Sequence, residues 1–139
     1  MGFGARTFGI SRFCGRRWTA EDMIWRWNSG LTRHMQLKSS YRGAQRSEVT
    51  AHVKLLDRPS ACILWIFFDP DTLLLGPFLW FGGAAGEKIP SLGDRIAKHT
   101  KPNAMLEKAD RPAHRVIPKS RFAKLDTIDD VIRKLIGVS

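Results

Sequence analysis

The chain has 139 residues, 43% of them hydrophobic, with 23 Lys or Arg against 13 Asp or Glu and a formal net charge of +10. That length holds one domain, and the apolar content is enough to build a core, which excludes a wholly disordered chain. The two cysteines, Cys14 and Cys62, form neither a disulfide framework nor a zinc spacing, so a reduced, cytoplasmic protein is expected. The charge falls in two blocks: residues 1–46 carry +7 and residues 87–124 carry +6, around a middle of −2, while residues 125–139 carry −1. Basic flanks around an apolar centre point to an anionic partner, DNA or another nucleic acid first among them.

Residues 1–18 contain Arg6, Arg12, Arg16 and Arg17, interleaved with Phe3, Phe8, Ile10, Phe13 and Trp18, and no acid. They read as a basic N-terminal arm, with a transit peptide as the alternative, ahead of a single domain over 19–139. No secretory signal follows Arg16-Arg17, because Glu21 and Asp22 stand where an apolar stretch belongs. Arg6 breaks the myristoylation pattern. Residues 61–86 are the one membrane candidate, and Asp69-Pro70-Asp71 cuts them into pieces shorter than the ~20 apolar residues of a spanning helix. No membrane association is expected.

The segment Asp22 to Ser40 carries the most information. Asn28-Ser29-Gly30 is a hairpin signal, and from Leu31 to Lys38 the residues alternate. Leu31, Arg33, Met35 and Leu37 form one face, and Thr32, His34, Gln36 and Lys38 the other. A three-residue loop pairing Trp27 with Leu31 puts Asp22 opposite Gln36 on one face, whereas a two-residue loop shifts the register and destroys the match. A rival reading takes Thr19-Ala20-Glu21-Asp22 as a capping box opening a short helix. His34 shares the Gln36 face but has no second ligand at metal spacing and reads as a solvated strand histidine.

Farther along, residues 47–56 fit two patterns. Val49, Val53 and Leu56 recur at helical spacing after Ser47, and Val49, Ala51, Val53 and Leu55 alternate. The flanking Ser47 and Asp57-Arg58-Pro59 favour a helix. Residues 61–68 read as a strand buried on both faces, Asp69 to Thr72 as a hairpin turn, and Leu73 to Phe81 as the next strand, with Gly76-Pro77 at a bulge or edge. Residues 82–112 read as loop with at most short strands, and Arg115 to Ile117 as a strand stopped by Pro118. Thr127-Ile128-Asp129-Asp130 is a capping box, and Ile128, Val131, Ile132 and Leu135 give a helix one apolar face before Gly137. Lys98-His99-Thr100-Lys101, extended by Arg111, Arg115, Lys119 and Arg121, forms a basic block without Trp or Phe at 87–121 for base stacking. That composition suits phosphate contact rather than single-strand stacking.

In the three-residue-loop register a carboxylate, an amide and an ammonium converge at one end of a hairpin. Phosphodiester cleavage commonly uses a hard cation such as Mg²⁺ held by oxygen ligands. Asp22, the Gln36 amide and the Leu37 carbonyl would supply those oxygens, and Lys38 would stabilise the transition state. Asp22 followed fourteen positions on by Gln36-x-Lys38 resembles the metal site of the PD-(D/E)XK nuclease superfamily in its Gln-x-Lys variant. The likeness covers about residues 20–82. It implies an α/β fold with a central mixed sheet flanked by helices, a restriction-endonuclease-like core, Mg²⁺ dependence and DNA as substrate. Asp22, Gln36 and Lys38 would be catalytic, with Asp22 and Gln36 on the metal.

Arg33, Arg42, Arg46, Lys98, Lys101 and Arg115 are the candidate nucleic-acid contacts. The chain departs from the family pattern in lacking any acid over residues 1–18, where members carry a helix with a Glu. Glu21 would face away from Asp22 in a strand. The alternatives are a catalytically inactive DNA-binding relative, a basic subunit docking to an acidic protein, or a site that a protein partner completes. Asp69 and Asp71 are the other acids to examine near Asp22.

Overall fold

The computed structural model describes residues 22–26, 32–99, 101–102 and 104–137, and of residues 22–26 the backbone. The arm over 1–18, Cys14 and the Asn28-Ser29-Gly30 turn lie outside the described residues. In chain order the strands are β1 (Asp22–Arg26), β2 (Thr32–Tyr41), β3 (Glu48–His52), β4 (Cys62–Phe68), β5 (Leu75–Gly82), β6 (Ile96–Lys98), β7 (Asp110–Pro118) and β8 (Ala123–Leu125). Short 3-10 helices follow β3 (Val53–Asp57) and β7 (Lys119–Arg121), and α1 (Ile128–Ile136) closes the described chain.

The strands form two sheets. One has five strands in the order β1-β2-β4-β5-β8, and the other has three in the order β3-β7-β6. In the larger sheet β2 and β4 run parallel and every other pair is antiparallel, so the expected mixed sheet is present. Among the described residues the expected flanking helices are reduced to one: α1 lies on one face, and the second sheet covers the other.

Alternation along β4 and β5 explains the layering. Ile63, Trp65, Phe67, Leu79 and Phe81 are buried with Val49 and Ala51 of β3 and Ile117 of β7. Cys62, Leu64, Phe78 and Trp80 are buried with Met35 of β2 and Val131 and Leu135 of α1. A strand covered on both faces must be apolar throughout, which is why residues 62–68 read as an unbroken hydrophobic run. Burying a side chain such as Trp65, which is 0% exposed, contributes roughly 3 kcal/mol. Trp65 Nε1 also donates to Ser40 Oγ at 3.0 Å, so its one polar atom is satisfied inside the core.

The local signals at both ends of the apolar centre act as expected. Asp69 Oδ1 accepts from the amides of Asp71 and Thr72 at 2.9 and 3.0 Å and closes the β4–β5 turn. Those two bonds hold the Asp69 carboxyl below its ordinary pKa, helped by Arg42 nearby. Thr127 Oγ1 accepts from Asp130 N at 3.2 Å at the start of α1, and Gly137 ends it at φ +75°. Such a cap contributes about 1 kcal/mol.

Residues 47–56 correct the helical expectation: they form β3 and the start of a 3-10 helix. Val49 and Ala51 point into the core, and the β3 backbone pairs antiparallel with β7, Val49 opposite Ile117 and Ala51 opposite Arg115. A partner strand far along the chain decides the matter, and local periodicity does not register it. Among the described residues, no helix is long and apolar enough to cross a membrane.

Candidate functional site

The β1–β2 register places Asp22 opposite Gln36, Ile24 opposite His34 and Arg26 opposite Thr32. This is the pairing that a three-residue loop requires, and it replaces the rival helix from Asp22 with a strand. Residues directly opposite in an antiparallel pair share a face of the sheet. On the other side β2 runs parallel to β4, with Gln36 beside Ile63, Lys38 beside Trp65 and Ser40 beside Phe67. Since Ile63, Trp65 and Phe67 belong to the core beneath the second sheet, the Gln36–Lys38–Ser40 row faces that sheet.

Gln36 is half-buried, and its Oε1 is a buried acceptor that receives no hydrogen bond. A buried unpaired acceptor costs about 1–3 kcal/mol, so the position favours whatever supplies a donor or a cation. Lys38 is half-buried two residues on. Leu37 between them pairs with Leu64. His34 donates from Nδ1 to the Pro59 carbonyl at 2.9 Å. This bond holds the return of the chain from β3 against the start of β2.

The second sheet brings further cationic groups to the same side. His52 and His114 are directly opposed in the β3–β7 register, with ring centroids 4.9 Å apart in an edge-to-face contact. Arg111 donates from Nη2 to His114 Nε2 at 3.0 Å. Burial lowers the pKa of His114, and the positive charges of Arg111, His52, Lys38 and His99 lower it further. Lys38 and the histidine pair therefore lie within electrostatic reach although they come from different sheets. His52 and His114 carried no signal in the sequence, because nothing local announces that β3 and β7 pair.

Of the candidate nucleic-acid contacts, Arg33 has to be withdrawn. It is 0% exposed and serves the core beneath α1. Its Nη2 donates to Gly83 O at 2.8 Å, its Nη1 to Lys134 O at 3.4 Å, and its guanidinium lies 5.2 Å from the Trp80 ring centroid. A buried guanidinium needs partners, and here the Gly83 carbonyl, the Lys134 carbonyl at the negative end of α1 and an aromatic face supply them. Cys62 lies beside it, and burial pushes that thiol up to about 11 even though Arg33 acts to lower it.

Arg46, Lys98 and Lys101 are exposed. Arg42 is exposed as well, with Nε donating to Gly76 O at 2.7 Å and Nη1 3.9 Å from Asp69. Arg115 is half-buried and donates from Nη1 to Pro112 O at 2.6 Å and His114 O at 3.2 Å, which braces the irregular stretch of β7. Asp69 and Asp71 are remote from Gln36 itself. They follow Phe68, which pairs with Tyr41 five residues beyond Gln36, a separation of roughly 17 Å along the strand. Among the described residues, no three His, Cys, Asp or Glu side chains gather as a metal site.

A separate open groove of about 570 Å³ lies at the β5–β8–α1 edge, lined by Arg121, Arg133 and Lys134 together with Trp80 and the Gly82-Gly83 backbone. It contains none of the candidate site residues. Comparison with protein-family models, curated proteins and solved structures finds no match.

Proposed function

We propose that the chain is a nuclease-like, DNA-binding protein that hydrolyses phosphodiesters with Mg²⁺, held by Asp22 and Gln36, and with Lys38 at the reacting phosphate. The observation that carries this reading is the Asp22–Gln36 pairing, with Gln36 Oε1 buried and accepting no hydrogen bond. A carboxylate and an amide oxygen are the hard donors that Mg²⁺ takes. When bound there, the ion would polarise a phosphate oxygen and acidify a bound water. Lys38 stands two residues from Gln36 on the same face, and its positive charge would stabilise the added negative charge of the transition state. The two basic flanks supply the sequence-independent attraction for a polyanion.

Plasmid nicking with Mg²⁺, compared between wild type and Lys38→Ala, tests the proposal. Wild-type nicking that EDTA abolishes and Lys38→Ala lowers about 100-fold or more is expected. Equal nicking by both proteins removes the catalytic role of Lys38. Salt-sensitive DNA binding without any wild-type nicking would replace the proposal with a non-catalytic DNA binder.

A further inference from the structure

The geometry points to a phosphate-binding site built from His52, Arg111 and His114, beside Lys38, that takes a non-bridging oxygen of a nucleic-acid phosphodiester. It rests on the nuclease-like reading, because it extends the path of a substrate backbone from Lys38 on β2 to the β3–β7 pair.

The hydrogen bonds set what each group can offer. Lys54 N donates to His52 Nδ1 at 3.1 Å, so the remaining proton of neutral His52 is on Nε2. A guanidinium only donates, so its bond to His114 Nε2 at 3.0 Å puts the proton of His114 on Nδ1. Each imidazole therefore keeps one N–H donor, and Arg111 keeps the N–H groups not used on His114. The ion pairs Arg42–Asp69, Arg95–Glu48 and Lys124–Asp126 lie outside the His52, Arg111 and His114 group. Asp110, next to Arg111, is opposite Lys98 in the β6–β7 register.

Arg111, His52 and His114 are all half-buried, so water screens their mutual repulsion less than on an open surface. His99 and Lys38 add to the same field. A monoanion with two free oxygens matches these donors and offsets that field. Nucleic acid is favoured over a free anion because the charge of Lys38 reaches His114 from β2, and Arg111 and His114 belong to the basic 87–124 flank.

The test uses the full-length protein in EDTA, so that cleavage plays no part. Imidazole ¹H–¹⁵N signals of wild type are followed while a short DNA duplex, dimethyl phosphate or inorganic phosphate is added. The duplex and dimethyl phosphate are expected to shift His52 and His114 while His34 stays in place. In fluorescence anisotropy, Arg111→Gln should weaken duplex binding about tenfold and lower the slope of log affinity against log salt by about one. Lys134→Ala, on α1 and outside both basic flanks, should bind as wild type does. Unmoved His52 and His114 signals at saturating duplex would overturn the proposal, as would shifts with inorganic phosphate alone. The wild-type titration decides even if Arg111→Gln folds poorly. Shifts with the duplex in a protein that does not nick DNA would sustain the phosphate site and remove only the Mg²⁺ chemistry.

Discussion

Arg33→Met separates a structural arginine from a DNA-binding one. The wild-type side chain is fully buried, and the partners described for it include two carbonyls and the Trp80 ring. Its charge-assisted bond to Gly83 O at 2.8 Å contributes about 1.5–3 kcal/mol. The contact with Lys134 O is long at 3.4 Å and adds little. The Trp80 face at 5.2 Å adds about 1–2 kcal/mol when desolvated. Against these stands the cost of keeping a cation out of water with its Nε unbonded, which methionine removes while filling most of the volume.

The net expected loss is about 2–3 kcal/mol, or a Tm decrease of roughly 6–9 °C for a chain of this length. Urea unfolding measures it, and duplex binding by anisotropy at a temperature where the variant is folded provides the comparison. Binding should match wild type. Unchanged stability together with tenfold weaker DNA binding would refute this account and return Arg33 to the nucleic-acid surface.

Gly82 pairs with Cys62 across β4–β5, and a Cβ there would meet Cys62 Cβ at 2.7 Å and its Cα at 3.2 Å. Gly82→Ala should therefore destabilise by about 1–3 kcal/mol in urea unfolding, and a loss below about 0.5 kcal/mol would show that the two central strands separate easily. His114 gives a pH dependence of known sign. Its folded pKa lies below the ordinary 6.5, so the unfolded chain takes up the proton more readily. Its contribution to stability is present above pH 6.5 and is lost as pH falls through the folded value. Wild type should lose more stability between pH 8 and pH 5 than His114→Gln does; parallel curves would contradict the positive surroundings assigned to this residue.

Much of the larger sheet is legible along the chain because its signals are local. The alternation over 31–38, the apolar run of β4, the Asp69 turn and the Thr127 cap each act over a few residues, and each has its counterpart in the structure. The β1–β2 register is equally local, since loop length and face alternation fix it together. Arg33 shows the limit. Its place in the alternation with Met35 and Leu37 was readable, yet its charge suggested a ligand outside rather than carbonyls inside.

A basic excess in two blocks, one apolar centre and a hairpin that aligns Asp22 with Gln36 can all be read from the chain alone. Long-range pairing makes residues 48–52 a strand, puts a second sheet where helices were expected, and brings Arg111 and His114 to His52. The physical reason is sequence distance. The pairing of β3 with β7 joins segments from the two halves of the chain, and the pattern within each segment does not say which strand it pairs with. The basic excess was visible from composition, but the approach of Arg111 and His114 to His52 depended on that long-range pairing.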